Sequence, residues 1–253
     1  FGHGQVEGLG EKYGREYRRS YWDEQPDWGL IKRHEQEIFP IMKKRYVFSE
    51  VDNFLLFDLF GESGAVNENI LAYSNQYGHE RALVLYNNNY ERSWGWIKIS
   101  SGYVEKNADG SKTHHQKSLG EALGLHNDWR YFCIFREHRS GLWFIRNSGE
   151  IWNNGMFVGL NGYEAQVCMD FHEVQDNEYS HYARLADSLQ GRGVENVDVA
   201  LKEVFLKPVY DVMYQMLNSG TLQRLKAALA GDSSLEDEDI ARFVAGYRHF
   251  VNV

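Results

Sequence analysis

The residues near the start of the chain whose types could do chemistry form a glycine-rich run, from Gly2 to Gly8, that reads GHGQVEG. Glycines this dense allow a backbone to turn tightly and to approach a ligand closely. His3, Gln5 and Glu7 place polar side chains between them. The run is not a phosphate-binding loop, because no Lys-Ser or Lys-Thr pair follows it. By itself the pattern also fits an ordinary flexible loop.

Exposed aromatic rings are a second candidate for chemistry, because they pack well on the flat faces of sugar rings. Phe, Trp and Tyr make up 15% of the chain. We predict that Trp94, Trp96 and Tyr103 could form a sugar-binding platform. Large aromatic side chains are more often buried, so packing in the core remains the alternative for each of the three.

The histidines do not form a convincing set of metal ligands. His114 and His115 lie in a polar segment with Asp109, and His172 and Glu173 lie together farther along. A metal site needs three or four such groups to converge, and a solvated loop or strand end is the ordinary position for each. We therefore predict no metal site and no cofactor.

The sequence also lacks a recognisable nucleophile motif, since it contains no Gly-x-Ser-x-Gly and neither cysteine has the partners of a thiol protease. Cys133 and Cys168 lie in apolar, strand-like runs. They are interpreted as reduced core residues, which favours a cytoplasmic protein. The carboxylates are so many that no catalytic pair can be chosen without a scaffold that fixes their separation.

Composition excludes two classes of partner. The formal net charge is -9 and no run rich in Lys and Arg stands out, whereas a nucleic-acid partner needs a basic surface. No apolar stretch approaches the length of a membrane span. We therefore expect neither a nucleic acid nor a membrane as a partner.

The elements that must position these residues follow from periodicity. Apolar residues from Leu30 to Met42 recur at helical spacing, with Pro40 expected to kink the helix. From residue 53 to 176, short apolar runs alternate with turn signals, which is typical of an antiparallel β-sandwich. Within it, Ala165, Val167, Met169 and Phe171 are expected to share one strand face.

After Asp176 the period becomes helical again. Successive apolar stripes are separated by Gly191, Pro208, Gly220 and Gly231. Isolated amphipathic helices of this length are marginal in water. We therefore expect a small helical bundle packed on the strand domain as a structural cap.

Taken in chain order, the stretch from Phe1 to Val174 resembles the end of a glycoside hydrolase of the α-amylase superfamily. Phe1 to Gly8 resembles the loop after the eighth barrel strand, and Leu30 to Ile41 resembles the eighth helix with its internal proline. Ile70 to Asn88 resembles the first hairpin of the carboxy-terminal domain. The helical tail departs from the family pattern and leaves the subfamily and substrate open.

The resemblance implies a fold in three parts: residues 1–50 as the last loop and helix of a (β/α)₈ barrel, 51–176 as an antiparallel β-sandwich, and 177–253 as a helical bundle tail. A complete barrel needs about 250 residues, so none fits beside the other elements. The family's catalytic Asp, Glu and second Asp would lie before Phe1. No residue of this chain is then catalytic, and His3, Gln5 and Glu7 would border the substrate cleft.

The expected function is therefore that of a non-catalytic carboxy-terminal region of an enzyme acting on α-glucan-like carbohydrates, with carbohydrate as a partner only through the parent enzyme. The alternatives are a free-standing carbohydrate-binding module and a protein-interaction module built on the tail. The helix ahead of the strands favours the first, because a separate binding module does not need it. The aromatic residues between Phe1 and Pro26 could also support self-association.

Overall fold

The structure is a computed structural model that describes residues 2, 4–10, 23–231 and 237–251. The fold is mixed, with a large antiparallel sheet and several helices. The helices are Trp28–Arg33 (α1), Phe39–Lys43 (α2), Arg45–Ser49 (α3), Leu119–Ala122 (α4), Ser148–Asn154 (α5), His181–Leu189 (α6), Val197–Met216 (α7), Ser219–Leu229 (α8) and Asp237–Val251 (α9). The strands are Leu55–Phe60 (β1), Val66–Tyr77 (β2), Glu80–Asn87 (β3), Ser93–Ser100 (β4), Tyr103–Lys106 (β5), Lys112–His115 (β6), Tyr131–Glu137 (β7), Trp143–Asn147 (β8), Met156–Leu160 (β9) and Ala165–Gln175 (β10).

Within the described residues, eight strands form one sheet in the order β8-β7-β10-β3-β2-β1-β4-β9, and β5 and β6 form a separate hairpin. Every pairing in the large sheet is antiparallel. Hairpins turn at Gly78, between β2 and β3, and at Gly141, between β7 and β8. Gly78 and Gly141 have φ values of 58° and 72°, which a residue with a side chain adopts only rarely.

The large sheet is strongly curled, which the position of α5 demonstrates. This helix contacts both β4 and β7, which are five strand spacings apart, or about 24 Å in a flat sheet. A helix is only about 10 Å wide, so the sheet must bend around it. The predicted sandwich of two facing sheets is not confirmed: one continuous sheet curls into a half-barrel and encloses its own core.

The core inside the curl is made of the inward-facing residues of seven of these strands together with α4 and α5. Its central side chains are fully buried, namely Leu59, Leu83, Leu85, Ile97, Leu119 and Leu160. Cys133 and Cys168 are also buried in this core as free thiols, as the sequence predicts. The apolar alternation along each strand therefore marks the inside of the curl.

The predicted alternation along β10 is wrong after Met169. Between Met169 and His172 the strand advances three residues while β7 advances two, so β10 contains a bulge. Asp170, inside the bulge, has a φ of 57°. The extra residue turns Phe171 into the inner core, whereas Met169 lies on the outer face.

The helix predicted from Leu30 to Met42 is present, and Pro40 disturbs it as expected. A π-helical turn, His34–Ile38, separates α1 from α2, and Pro40 lies in the first turn of α2. Proline has no backbone N–H and clashes with the preceding turn, so a helix can pass it only with irregular hydrogen bonding. Nothing in the structure identifies this helix as part of a barrel.

The helical tail packs on the outer face of β7 and β8. Leu185 of α6 is 1% exposed and forms a cluster with Phe132, Ile134 and Ile145 of these strands. The carboxylate of Asp176 accepts hydrogen bonds from the Tyr182 and Ala183 amides, 3.0 and 3.2 Å away, and so fastens the first turn of α6. The first part of the tail therefore belongs to the strand domain.

The prediction that Pro208 separates two helices is wrong, because α7 continues through it. The turns before Pro208 pack on α6, and the turns after it contact α9. Tertiary contacts on both sides therefore hold the helix where the proline costs it one hydrogen bond.

Candidate functional site

The two edges of the curled sheet approach each other and leave a seam, which α5 bridges. Strand β8 lies at one edge and β9 at the other, and α5 connects them directly. The Asn147 side chain caps α5 by accepting a hydrogen bond from the Glu150 amide at 3.1 Å, and Gly155 ends the helix with a φ of 81°. A short helix between a capping Asn and a left-handed Gly thus joins opposite edges of one sheet.

A cavity of about 350 Å³ opens at this seam, and we call it the seam cavity. Residues from five separate parts of the fold line it: Trp96 of β4, Arg146 of β8, Glu150 of α5, Phe157 of β9, and Gln190 with Gly191 from the loop between α6 and α7. It therefore combines two aromatic rings with a cation, a carboxylate and an amide. This composition suits a ligand that has both an apolar face and hydrogen-bonding groups.

Arg146 is the most constrained polar residue of the seam cavity. Its two terminal nitrogens donate to the carbonyl oxygens of Ile145 and Gly191, each at 2.8 Å. Burial lowers the pKa of Arg146, and the charge of Glu150 opposes that effect. Among the described residues no carboxylate lies within 4.0 Å of the guanidinium, so its remaining N–H groups are available to a ligand.

The aromatic wall of the seam cavity is formed by Trp96 and Phe157. They lie opposite each other in the β4–β9 register, with ring centroids 5.5 Å apart and planes inclined at 66°. Trp94 lies two residues earlier on the same outer face of β4, opposite Gly159. Trp94 and Trp96 are 47% and 39% exposed, but only Trp96 lines the cavity.

Tyr103 does not join the two tryptophans. It lies on β5, where it is half-buried against the inner core, and its ring lies 5.8 Å from that of His115. Trp94 and Trp96 face the outside of the sheet. The structure thus brings together two of the three predicted platform residues, with Phe157 as the ring beside them.

The glycine-rich run lies against α1. Its turn is held by a hydrogen bond from the Leu9 amide to the Gly4 carbonyl at 2.8 Å, and the Glu7 carbonyl accepts from the Asp27 amide at 2.8 Å. Gln5 is exposed and Glu7 is half-exposed. His3 lies outside the described residues, as do the aromatic residues at positions 13, 17, 21 and 22. The role of this run at a substrate cleft stays a prediction.

A polar cluster away from the seam fastens the amino-terminal helices to the sheet. Lys44 forms ion pairs with Asp170 and Glu80 at 2.9 and 3.0 Å, and the Tyr46 hydroxyl donates to Glu80 at 2.6 Å. These contacts fasten α3 to the sheet, and the hydrogen bond to Asp170 is the main cause that raises the pKa of Lys44. No group of three or more potential metal ligands converges in the described part of the chain.

The two thiols are unreactive by position. Both are fully enclosed in the core, and burial raises the pKa of Cys168 to about 12 and that of Cys133 still further. A thiolate is the reactive form of cysteine, so neither thiol is suited to nucleophilic chemistry at neutral pH.

A second, larger cavity of about 490 Å³ lies at the far end of the tail, between α7, α8 and α9. Apolar side chains dominate its lining, among them Val212, Met216, Leu225 and Phe243. Polar groups, among them Gln215, Arg242 and His249, also line it. It is better described as an incompletely filled helix interface than as a site for chemistry.

Sequence reasoning identified Trp96 but missed Arg146, Glu150 and Gln190. The sequence did contain a signal for Arg146, because this residue directly follows the apolar strand segment Leu142–Ile145. A cation beside such a segment is often half-buried. Glu150 and Gln190 carry no comparable signal. They lie in a short helix and in a turn, far apart in sequence.

None of the helices in the described ranges has both the length and the apolar character needed to cross a membrane. Comparison of the sequence with models of known protein families gives no match. Comparison with curated proteins gives no match either. The functional interpretation therefore depends on the residues and on their geometry.

Proposed function

We propose that this chain is a non-catalytic carboxy-terminal region of an α-amylase-type glycoside hydrolase acting on α-glucan-like carbohydrates, where it supports a catalytic (β/α)₈ barrel. The observation that carries the proposal is the state of the helical segment 28–43. Its sequence is amphipathic, yet none of its residues is buried by the described part of the chain. An amphipathic helix is stable when its apolar face is covered, so this segment needs a further partner.

The uncovered residues lie along one side of the segment. Ile38 is 36% exposed, and Met42, one turn later, is 48% exposed. Burial begins only at Val47 of α3, which packs with Ala82 and Met169 on the outer face of the sheet. Glu37 contacts the strand domain through Arg139, 3.4 Å away, and Ile41 packs on the Val47 cluster. The side that carries Ile38 and Met42 keeps exposed apolar surface, as expected for a helix shared between a barrel and the domain that follows.

The strand domain also supports the proposal. In the α-amylase superfamily, an antiparallel carboxy-terminal domain follows the last barrel helix, and here a curled antiparallel sheet follows α3. The hairpin of β2 and β3, which carries the resemblance, lies near the centre of that sheet. We propose that the half-barrel takes the place of the family's β-sandwich.

The direct test is the coding sequence upstream of Phe1. The proposal expects an in-frame (β/α)₈ barrel that carries an Asp nucleophile, a Glu general acid and a second Asp at the ends of its strands. A stop codon just upstream, or an unrelated domain in frame, would exclude the proposed role.

The purified chain is expected to hydrolyse neither starch, glycogen nor a chromogenic α-glucoside. Glycosidic cleavage requires two carboxyl groups at a fixed separation across the scissile bond, and the proposal places them on the barrel. The measurement is product release compared with a heat-denatured sample. Turnover above that control would show that the chain carries its own catalytic pair.

Substitution Met42→Glu is expected to affect the stability of the isolated chain much less than that of the longer polypeptide. In the isolated chain the side chain is half-exposed, so the free energy of unfolding should change by less than about 0.5 kcal/mol. In the longer polypeptide the carboxylate would be buried against the barrel, and stability should fall by about 2 kcal/mol or more. Lys43→Glu, a charge change on the neighbouring residue, is the control, and equal effects of both variants in the longer protein would contradict the proposed contact.

The alternative of a carbohydrate-binding module is favoured by a specific observation, the exposed pair Trp94 and Trp96 on the outer face of β4. It does not account for the helical segment 28–43. A chain that binds glucans while its gene encodes no barrel would favour this alternative.

A further inference from the structure

We infer that the seam cavity binds a neutral sugar ring, with Trp96 as the stacking surface and Arg146, Glu150 and Gln190 as its hydrogen-bonding groups. The inference does not depend on the proposed role beside a barrel, because the cavity is formed wholly by described residues of this chain. It replaces the three-residue platform predicted from the sequence by a half-open cavity that uses one of those residues.

The size and the lining of the cavity suit a small ligand. Its volume of about 350 Å³ falls in the range of small-molecule pockets, which begins near roughly 300 Å³. Trp96 and Phe157 meet edge to face, so each keeps part of its ring surface free toward the opening. The C–H face of a pyranose can pack against such a ring, and its hydroxyl groups then point toward the polar side of the cavity.

The polar groups favour a neutral ligand over a charged one. Arg146 offers N–H donors, Glu150 offers an acceptor, and the Gln190 amide offers both. Arg146 and Glu150 carry opposite charges, so a charged ligand would be attracted by one of them and repelled by the other, with little net gain. A sugar hydroxyl donates and accepts, so it can satisfy groups of both kinds at once.

Arg146 and Gln190 are held in place before any ligand arrives. Arg146 is fixed by its two bonds to backbone carbonyls, one of which belongs to Gly191 of the loop over the cavity. The Gln190 amide nitrogen donates to the Asp187 carbonyl at 2.7 Å, which orients its oxygen as the free acceptor. Fixed side chains lose little entropy on binding, so a small ligand retains more of its contact energy.

Trp94 provides a matched comparison within the same strand. It shares the outer face of β4 and a similar exposure with Trp96, but it does not line the cavity. An exposed platform would use both tryptophans. A binding site in the seam cavity would use Trp96 alone.

The test is a titration of the full chain with maltotriose, cellotriose and xylotriose, each to about 10 mM, which detects millimolar dissociation constants. Binding is followed by NMR through the indole N–H signals, with Trp94 and Trp96 assigned from single Trp→Phe variants. At least one trisaccharide should shift the Trp96 signal and leave that of Trp94 in place. Trp96→Ala should weaken this binding by about tenfold or more, and Trp94→Ala by less than about twofold.

Glu150→Gln keeps the size of the side chain and removes its charge, so it tests the site even if Trp96→Ala impairs folding. It should weaken binding by about threefold or more without a change in melting temperature. The inference is overturned if no trisaccharide shifts the Trp96 signal, or if Trp94→Ala weakens binding as much as Trp96→Ala. Tighter binding of trigalacturonate than of every neutral trisaccharide would also overturn it, because the cavity would then select an anion.

Discussion

A chain that ends at Asp176 is expected to lose its cooperative fold. The tail helices α6 and α7 cover Phe132, Ile134 and Ile145 on the outer face of β7 and β8, and Leu185 fills the centre of that cluster. Exposing or deleting four such side chains forfeits about 6 to 12 kcal/mol of burial. That loss is comparable with the whole stability of a typical protein, about 5 to 15 kcal/mol.

A chain that ends at Asn218 is the matched control for this truncation. It keeps α6 and α7 and loses α8 and α9, whose described residues contribute no buried side chain to the clusters on the sheet. We expect thermal unfolding by near-ultraviolet circular dichroism to remain cooperative in the chain that ends at Asn218 and to disappear in the one that ends at Asp176. An unchanged transition in the shorter chain would mean that the tail is an independent module and not a structural cap.

Single substitutions can test whether α6 contributes to the stability of the strand domain. Leu185→Ala should lower the free energy of unfolding by about 2 to 5 kcal/mol, because it leaves a cavity in a packed cluster. Leu229→Ala removes the same atoms from a side chain that is 89% exposed, so a change within about 0.5 kcal/mol is expected. Equal effects in chemical denaturation would contradict the assignment of α6 to the strand domain.

Gly155→Ala is expected to be the most damaging small substitution at the seam. Gly155 has φ and ψ values of 81° and -160°, a region that only glycine occupies readily and that costs another residue about 1 to 3 kcal/mol. A Cβ atom there would also clash with the carbonyl oxygen of Ile97, a backbone atom of β4. The two penalties together should exceed about 3 kcal/mol and should misplace the end of α5.

Gly110→Ala tests the backbone cost without the steric clash. Gly110 has a similar φ of 83°, but a Cβ atom there would meet nothing within 4 Å. Its substitution should therefore show the backbone cost alone, about 1 to 2 kcal/mol. Equal losses for both variants in urea denaturation would mean that the contact with Ile97 relaxes and that the seam is not rigid.

Much of the local structure could be predicted from the sequence, because its signals are local. The hairpin of β2 and β3 is marked by alternating apolar residues around Gly78, and the helix from Leu30 to Met42 by its spacing. The short elements α4, α5 and β9 could not be predicted, because they span only four to seven residues each, too few for a period to show. Without them the strands between residues 93 and 175 favoured a sandwich.

The seam cavity could be predicted from the sequence even less than the fold. Trp96 was singled out because aromatic residues are recognisable one at a time, whereas Arg146, Glu150 and Gln190 gain their meaning only from being adjacent. Arg146 and Gln190 are 44 positions apart and meet across a turn fixed by the Gly191 carbonyl. No local pattern encodes such a meeting.

Side-chain polarity along short stretches therefore sufficed to predict the helical or strand character of the long elements, the turns between hairpin strands and the burial of both cysteines. The tertiary structure alone decided that eight strands form one curled sheet, that a bulge turns Phe171 inward, and that α7 continues through Pro208. It also decided that β8 and β9 face each other across α5 and enclose a cavity. The physical reason is that curling and bulging respond to the packing of the whole core, which joins residues distant in the chain.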